Sequence, residues 1–166
     1  MGELSLVRNQ GSPKILVLEG RVSNESLSEP GYQSTGGKTL ISFGEAELIG
    51  LSAGTYQIAV DGRFKYTGHS QADNYAALDL QMTRHNGIVN VEKSCRLYRC
   101  GGIKTTTEDV EAALSFLLNI LPIWNANDSL SICPLTKISL HIQNYSYVTL
   151  SEINFTMKLY RIREDT

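Results

Sequence analysis

Hydrophobic and polar residues alternate with a period of two in several segments after Gly37. In residues 55–66, Tyr56, Ile58 and Val60 share one face, and mostly polar residues occupy the other. The same alternation appears in residues 78–83, 137–142 and 153–160. Successive side chains of a β-strand point to opposite faces of its sheet, so this pattern predicts half-buried strands.

Turn residues separate these segments. His85-Asn86-Gly87 predicts a hairpin between a strand over 78–84 and one over 89–98, because Asn-Gly readily adopts positive φ. Shorter strands are predicted at 40–43 and 46–49, a bulge at Gly62, and an end or twist of the last strand at Arg161-Ile162. Many short strands with turns between them predict an antiparallel β-sandwich or barrel.

Residues 105–121 have a different spacing. Their apolar positions fall at i, i+3, i+4, i+7, i+8 and i+11, namely Val110, Ala113, Leu114, Leu117, Leu118 and Leu121. Thr105 followed by Glu108 fits a capping box, and Pro122 would end a helix. A buried strand over 115–120 is the alternative, because the apolar run is nearly continuous. We predict one helix over 105–121, inserted between strands.

The first 37 residues have another character. Residues 14–18 suit a short strand, whereas residues 22–38 are rich in Ser, Glu and Gly and contain Pro30-Gly31. Such a stretch predicts a long loop or linker. We therefore expect an N-terminal arm over residues 1–37 that docks on another protein, and a β-sandwich domain over residues 38–166.

The composition fits one globular domain. The chain has 166 residues, of which 42% are hydrophobic and 19% charged, and this length can build a core without metals or disulfides. The net charge of −2, with no cluster of Lys and Arg, excludes a generally basic nucleic-acid binder. The N-terminus lacks the apolar core of a signal peptide, and no segment approaches the length of a membrane span.

Cysteines and histidines offer little chemistry. Cys95, Cys100 and Cys133 predict reduced thiols in a reducing compartment. A Cys95–Cys100 bridge is an alternative, and a zinc site lacks a fourth ligand. The candidate metal ligands, none at helical i, i+4 spacing, are His69, His85 and His141 with Asp61 or Asp73. We expect exposed histidines and no metal or cofactor.

One motif has the spacing of a catalytic one. Gly50-Leu51-Ser52-Ala53-Gly54 matches the nucleophile elbow, which exposes its serine on a sharp turn from a strand to a helix. Here the segment after Gly54 has the pattern of a strand, so a β-turn is the preferred interpretation. Asp61 or Asp73 followed by His85 gives the chain order of a triad, which keeps a serine hydrolase as a remote alternative.

Three tyrosines are candidates for a subunit interface. Tyr145 and Tyr147 share a parity in a short polar run, and Tyr160 lies on the polar face of the last strand. Tyrosine combines a large contact area with a hydrogen-bonding tip and is enriched at interfaces. Ordinary half-buried strand tyrosines are the alternative.

The segment Leu51-Ser52-Ala53-Gly54-Thr55-Tyr56-Gln57-Ile58-Ala59-Val60 resembles tumour-necrosis-factor and C1q-like jelly rolls, which often carry Gly-x-Tyr where a long central strand begins. Residues 78–86 resemble the next hairpin of that family, and residues 153–160 are similar to its central C-terminal strand. The predicted helix and the missing signal peptide depart from the family. Phage and viral capsid-decorating proteins, head fibres and fibre tips use similar trimers, lack signal peptides and often carry an arm.

This resemblance implies a homotrimer whose inner sheets surround a threefold axis and whose arm or base attaches to a capsid or fibre protein. The hypothesis is a structural virion protein without enzymatic activity: a capsid decoration, cement or fibre-tip module, made in the host cytoplasm, with neither nucleic acid nor membrane as partner. The alternatives are a C1q-like or carbohydrate-binding module that reads a glycan receptor through loops such as 68–74, and the hydrolase using Ser52.

Overall fold

The computed structural model describes residues 14–69, 74–85, 90–103, 105–120 and 135–164. The described residues form eight strands and a one-turn helix, α1 (Glu45–Leu48), between the second and third strands. The strands are β1 (Ile15–Leu27), β2 (Thr35–Phe43), β3 (Gly54–Thr67), β4 (Tyr75–His85), β5 (Asn90–Gly101), β6 (Glu108–Ile120), β7 (Leu135–Tyr145) and β8 (Thr149–Glu164).

The strands form two antiparallel four-stranded sheets. Sheet A has the order β1-β8-β3-β6 and sheet B the order β2-β7-β4-β5. Consecutive strands alternate between the sheets, except that β4 and β5 form a hairpin within sheet B. This is the eight-stranded jelly-roll arrangement, so the predicted antiparallel sandwich is confirmed. The hairpin predicted at His85-Asn86-Gly87 is confirmed by the pairing of His85 with Asn90, while residues 86–89 lie outside the described ranges.

The core lies between the two sheets, where the alternating positions face each other. Tyr56, Ile58, Val60, Phe64 and Tyr66 of β3 are all buried, as the period of two predicted. Sheet B and β8 contribute Leu78, Leu80, Ile138, Leu140, Ile142, Phe155, Met157 and Leu159. Burying a large apolar side chain contributes roughly 1.5–3 kcal/mol, so this layer is the main source of stability.

The helix predicted over residues 105–121 is wrong, because Glu108–Ile120 form strand β6 and pair with β3 from Tyr66 to Gly54. The inner face of β6 carries Val110, Ala112, Leu118 and Ile120. Apolar residues also lie on the outer face, where Leu117 is 65% exposed. They interrupt the alternation of apolar and polar positions that would have indicated a strand. The edge of β3 supplies a partner that outweighs the helix propensity of Ala and Leu.

The loop predicted over residues 22–38 is also wrong. This segment contains the end of β1, which pairs with β8, and the start of β2, which pairs with β7. Both are edge strands, and Gly20 faces Ile41 where the two strands pack. The sandwich therefore begins at Ile15 and not at residue 38. Residues 1–13 lie outside the described ranges, so attachment through an arm stays a prediction.

The structure also tests three smaller predictions about the strands. Residues 46–49, predicted as a strand, lie largely in α1. The β3–β6 ladder passes Gly62 without a bulge, and the β3–β8 ladder pairs Gly62 regularly with Phe155, its nearest irregularity lying between Arg63 and Lys65. The end or twist of the last strand predicted at Arg161-Ile162 is only partly met: β8 continues to Glu164, but its pairing with β3 shifts there by one residue.

Candidate interaction surface

Four tyrosines meet at one end of the sandwich, which we call the tyrosine end: Tyr32, Tyr75, Tyr145 and Tyr147. The turns after β1, β3, β5 and β7 all lie at this end. Tyr32 and Tyr147 stand in two of these turns, Tyr75 begins β4, and Tyr145 ends β7. Antiparallel pairing therefore brings together residues that are far apart in the sequence.

Backbone hydrogen bonds fix the two turns that carry Tyr32 and Tyr147. The Ser146 N–H donates to the Ser34 carbonyl at 2.8 Å, and the Gly31 N–H donates to the Ser146 carbonyl at 3.2 Å. Gly31 has a φ of 107°, a conformation that favours glycine. The Tyr32 and Tyr147 ring centroids are consequently held 6.3 Å apart with their planes 29° from parallel.

Asn74 joins three turns at this end. Its Nδ2 donates to the His69 carbonyl at 2.9 Å, and its Oδ1 accepts from the Tyr147 N–H at 3.3 Å. The Gly102 N–H donates to its carbonyl at 3.1 Å. Asn74 is buried, and such networks rigidify the backbone that carries them.

Asn144 performs a similar task between the β1–β2 and β7–β8 turns. Its Nδ2 donates to the carbonyls of Ser28 at 3.0 Å and Val148 at 2.6 Å, and its side chain is fully buried. Its Oδ1 lies against Gly36, where a Cβ would overlap with it. The tyrosine end is thus a preorganised surface, which lowers the entropy lost on binding.

Tyr75 is held between an aromatic ring and a cation. The Tyr145 ring lies 5.1 Å away with its plane 12° from parallel, and the Arg99 guanidinium lies 4.5 Å from the Tyr75 centroid. Tyr145 comes from β7 and Arg99 from β5, which flank β4 on opposite sides, so both faces of the Tyr75 ring are covered. Beside them the Arg96 Nε donates to the Asp79 carboxylate at 3.0 Å, and this hydrogen bond raises the pKa of Arg96.

The structure brings together two of the three predicted interface tyrosines. Tyr145 and Tyr147 belong to the tyrosine end, whereas Tyr160 lies on the outer face of sheet A, below the Lys14 ammonium. Tyr160 is eleven residues beyond Thr149 on β8, about 36 Å along the strand. The sequence interpretation missed Tyr32 and Tyr75. The signals that could have found them are the neighbouring turn residues Gly31 and Asn74.

Tyr66 is buried beside the tyrosine end, and its hydroxyl donates to the Gly102 carbonyl at 3.0 Å. Burial, assisted by the nearby Cys100 and Glu108, raises the pKa of Tyr66 from 10.0 to about 12. The unfolded chain therefore loses this proton first, so the stabilisation is complete below pH 10 and lost as the pH rises towards 12.

We expect Tyr66→Phe to flatten this alkaline loss of stability, because the variant has no proton to release. Urea unfolding midpoints measured below pH 10 and near pH 12 would show a smaller drop for Tyr66→Phe than for the wild type. Tyr32→Phe is the matched control. Because Tyr32 is 61% exposed, we expect this variant to show the same drop as the wild type. Equal drops in the wild type and Tyr66→Phe would contradict the role of Tyr66.

The described residues do not assemble the hydrolase alternative. Helix α1 precedes Ser52 and strand β3 follows it, which is the reverse of the strand-to-helix order of a nucleophile elbow. The Ser52 carbonyl accepts a hydrogen bond from the Tyr56 hydroxyl at 2.6 Å, so the turn is tied to β3. Asp61 lies in the middle of β3 on the outer face, while Asp73 and the His85 side chain lie outside the description.

The remaining candidate groups are the cysteines and the side chains that could bind a metal. Cys95 and Cys100 both lie on β5, where five residues span about 16 Å, so the Cys95–Cys100 bridge is excluded by distance. Cys133 is not among the described residues. Within the described ranges, no group of three or more His, Cys, Asp or Glu side chains is placed to hold a metal ion. In the same ranges, no helix has the length and apolar character needed to cross a membrane.

The comparisons with known proteins bear on the fold. No protein-family model matches the sequence, and no curated protein matches it. A chain in the structure of the infectious bursal disease virus Gx strain matches 90% of this chain with a TM-score of 0.55 and 11% identity. The structure of the Gt strain matches 90% with a TM-score of 0.49 and 13% identity. This chain covers 33% of the length of the Gx strain chain, and the two share a fold over that portion.

Proposed function

We propose that this chain is a structural virion protein: a homotrimeric jelly-roll module that decorates or cements a capsid, or caps a fibre, through protein contacts. The observation that carries the proposal is the jelly roll itself, which is similar over 90% of the chain to a chain of the infectious bursal disease virus Gx strain. A module of this kind acts by multivalent contacts and needs no catalytic group.

The tyrosine end supports a role in contact. Tyr32 is 61% exposed, and the turns beneath it are held by Asn74 and Asn144. Rigid tyrosines beside an arginine are typical of the residues that dominate protein interfaces. We propose that this end faces the capsid or fibre protein on the exterior of the virion. Tyr145 and Tyr147 would take part in that contact, whereas Tyr160, on the outer face of sheet A, would lie outside it.

The test combines mass and attachment. Light scattering on the purified chain should give three times the monomer mass. Co-expression with the capsid protein of the same genome should move the chain into the particle fraction of a sucrose gradient. Tyr32→Ala with Tyr147→Ala should reduce that fraction several-fold, because interface tyrosines often contribute 2 kcal/mol or more. Tyr160→Ala is the matched control and should leave it unchanged.

Two results would contradict the proposal. A chain that stays at the top of the gradient in the presence of assembled particles is no virion component. A particle fraction that responds to Tyr160→Ala and ignores the Tyr32 and Tyr147 variants would place the contact at the other end. The carbohydrate-recognition alternative stays a prediction, and the covered faces of Tyr75 give it little support, because sugars stack on open rings.

A further inference from the structure

We propose that strand β5 of one copy pairs with strand β6 of a second copy around an axis parallel to the strands. This inference rests on the self-association proposed above and specifies its contact.

The two sides of the sandwich differ. On one side, edge strands β1 and β2 pack together and are joined by the Glu25–Lys38 ion pair. The β1–β8 ladder contains three register shifts, which make β1 a poor template for another strand. On the other side lie β5 and β6, and among the described strands each pairs with a single neighbour. The β3–β6 ladder runs without any shift, so β6 presents a long and regular edge.

Among the described residues, this second side is open to solvent. A cleft of about 300 Å³ lies between β5 and β6 near the tyrosine end, and Tyr66, Tyr98 and Val110 are among the residues that line it. Two large apolar side chains are exposed on the same side, with Ile103 at 57% and Leu117 at 65%. Long unpaired edges with exposed apolar residues are templates for pairing with another chain.

The charges of the two edges are opposite. Lys93, Arg96 and Arg99 are exposed on β5 beside a single acidic residue, Glu92, whereas Asp109 and Glu111 are exposed on β6. Among the described residues neither Arg99 nor the two carboxylates form an ion pair. Asp109 and Glu111 each have a basic residue opposite on β3, and their other side faces the open edge. Arg99, Asp109 and Glu111 line the same cleft without an ion pair between them, and the matching edge of a second copy offers each of them a partner of opposite charge.

The spacing of these charges matches in an antiparallel pair. Strand β5 ends at the tyrosine end and β6 begins there, so a rotation about an axis parallel to the strands sets β6 antiparallel to β5 of the neighbour. When Arg99 stands beside Asp109, Arg96 comes beside Glu111. Arg99 and Arg96 are three residues apart on β5, whereas Asp109 and Glu111 are two residues apart on β6. The two spacings match because β5 carries an extra residue, Leu97, in the bulge opposite Leu78 and Asp79.

The same contact closes rings of two or three copies. Both edges lie on the open side of each copy, so in a dimer or in a trimer every β5 pairs with the β6 of a neighbour. In either ring the outer face of sheet A continues into the outer face of the neighbour's sheet B. Asp109 and Glu111 then lie on the same face as Arg99 and Arg96.

Charge reversal on the full chain tests the contact. Sedimentation velocity across a concentration series should show a self-association constant weakened roughly tenfold or more by Arg99→Glu and, independently, by Asp109→Arg, because each sets like charges side by side. The double variant Arg99→Glu with Asp109→Arg should restore association, since the pair is reformed with reversed signs. Lys137→Glu makes the same charge change on an exposed residue of β7 and should leave association unchanged.

The outcomes separate this inference from the proposed function. A wild type that remains monomeric, or single variants that associate as the wild type does, would overturn the β5–β6 contact. Failure of the double variant to recover, with melting temperatures unchanged, would also overturn it. If the chain still sediments with particles in those cases, the virion role stands without this contact. Recovery by the double variant supports the contact even where no particle binds the chain.

Discussion

Gly62→Ala is expected to destabilise the fold by on the order of 3 kcal/mol, which is roughly 6–12 °C in melting temperature for a domain of this size. Gly62 sits on the inner face of β3, opposite Phe155 on β8. A Cβ there would lie well under 3.0 Å from the Asn154 carbonyl oxygen and 2.5 Å from Cδ1 of Phe155. Backbone atoms cannot step aside as a flexible side chain can, so the central β3–β8 ladder would have to shift.

Gly50→Ala is the matched control for that effect. A Cβ at Gly50 meets nothing within 4 Å, and neither glycine has the positive φ that strains other residues. Both variants reduce the conformational entropy of the unfolded chain in the same way. The difference between their melting temperatures therefore measures the steric clash at Gly62. Thermal unfolding followed by circular dichroism measures it, and equal melting temperatures for the two variants would show that the ladder absorbs the added methyl.

Asn144→Asp is expected to be at least as damaging, at roughly 3–5 kcal/mol, because it removes a buried donor from two carbonyls and sets a carboxylate against them. The Asn144 Nδ2 bonds the carbonyls of Ser28 and Val148, which belong to two turns of the tyrosine end. Burial favours the neutral acid, so the loss relative to the wild type should shrink as the pH falls towards about 4.

Asn154→Asp provides the comparison for Asn144→Asp. The Asn154 side chain bonds the Asn24 N–H and the Glu152 carbonyl in an exposed setting, where water can replace either partner. We expect a loss below 1 kcal/mol there. Denaturant melts of both variants at neutral and acidic pH measure the contrast. A loss at Asn144 that matches the one at Asn154, or that is independent of pH, would refute the bridging role of Asn144.

The central strands were predictable from the sequence because one face of each is buried and the other is polar. β3, β4, β7 and β8 show that alternation, and they are the inner strands of their sheets. β1 and β6 lie at edges, where fewer positions need to be apolar. Polar residues concealed β1, and the exposed Leu117 gave β6 the spacing of a helix. Edge strands owe their conformation to a partner that is remote in the sequence.

The candidate surface could be predicted only in part. Tyr145 and Tyr147 stood out because they are two residues apart. Tyr32 and Tyr75 are distant in the chain, and only the pairing of β7 with β2 and β4 brings them near. Asn74 and Asn144 are ordinary polar residues in the sequence, and their burial depends on turns from other strands. A sequence pattern indicates which residues of one segment share a face. This surface, in contrast, is built from contacts between segments that are remote in the sequence.

The alternation of strands between the sheets also has a consequence for synthesis of the chain. Strand β1 pairs with β8, as in the contact of Ile15 with Arg161, which are 146 residues apart. At roughly 5–20 residues per second, a ribosome needs on the order of 7–30 s to make the second strand after the first. Sheet A therefore cannot close until β8 has been synthesised, and its folding should be slow, on the scale of milliseconds to seconds.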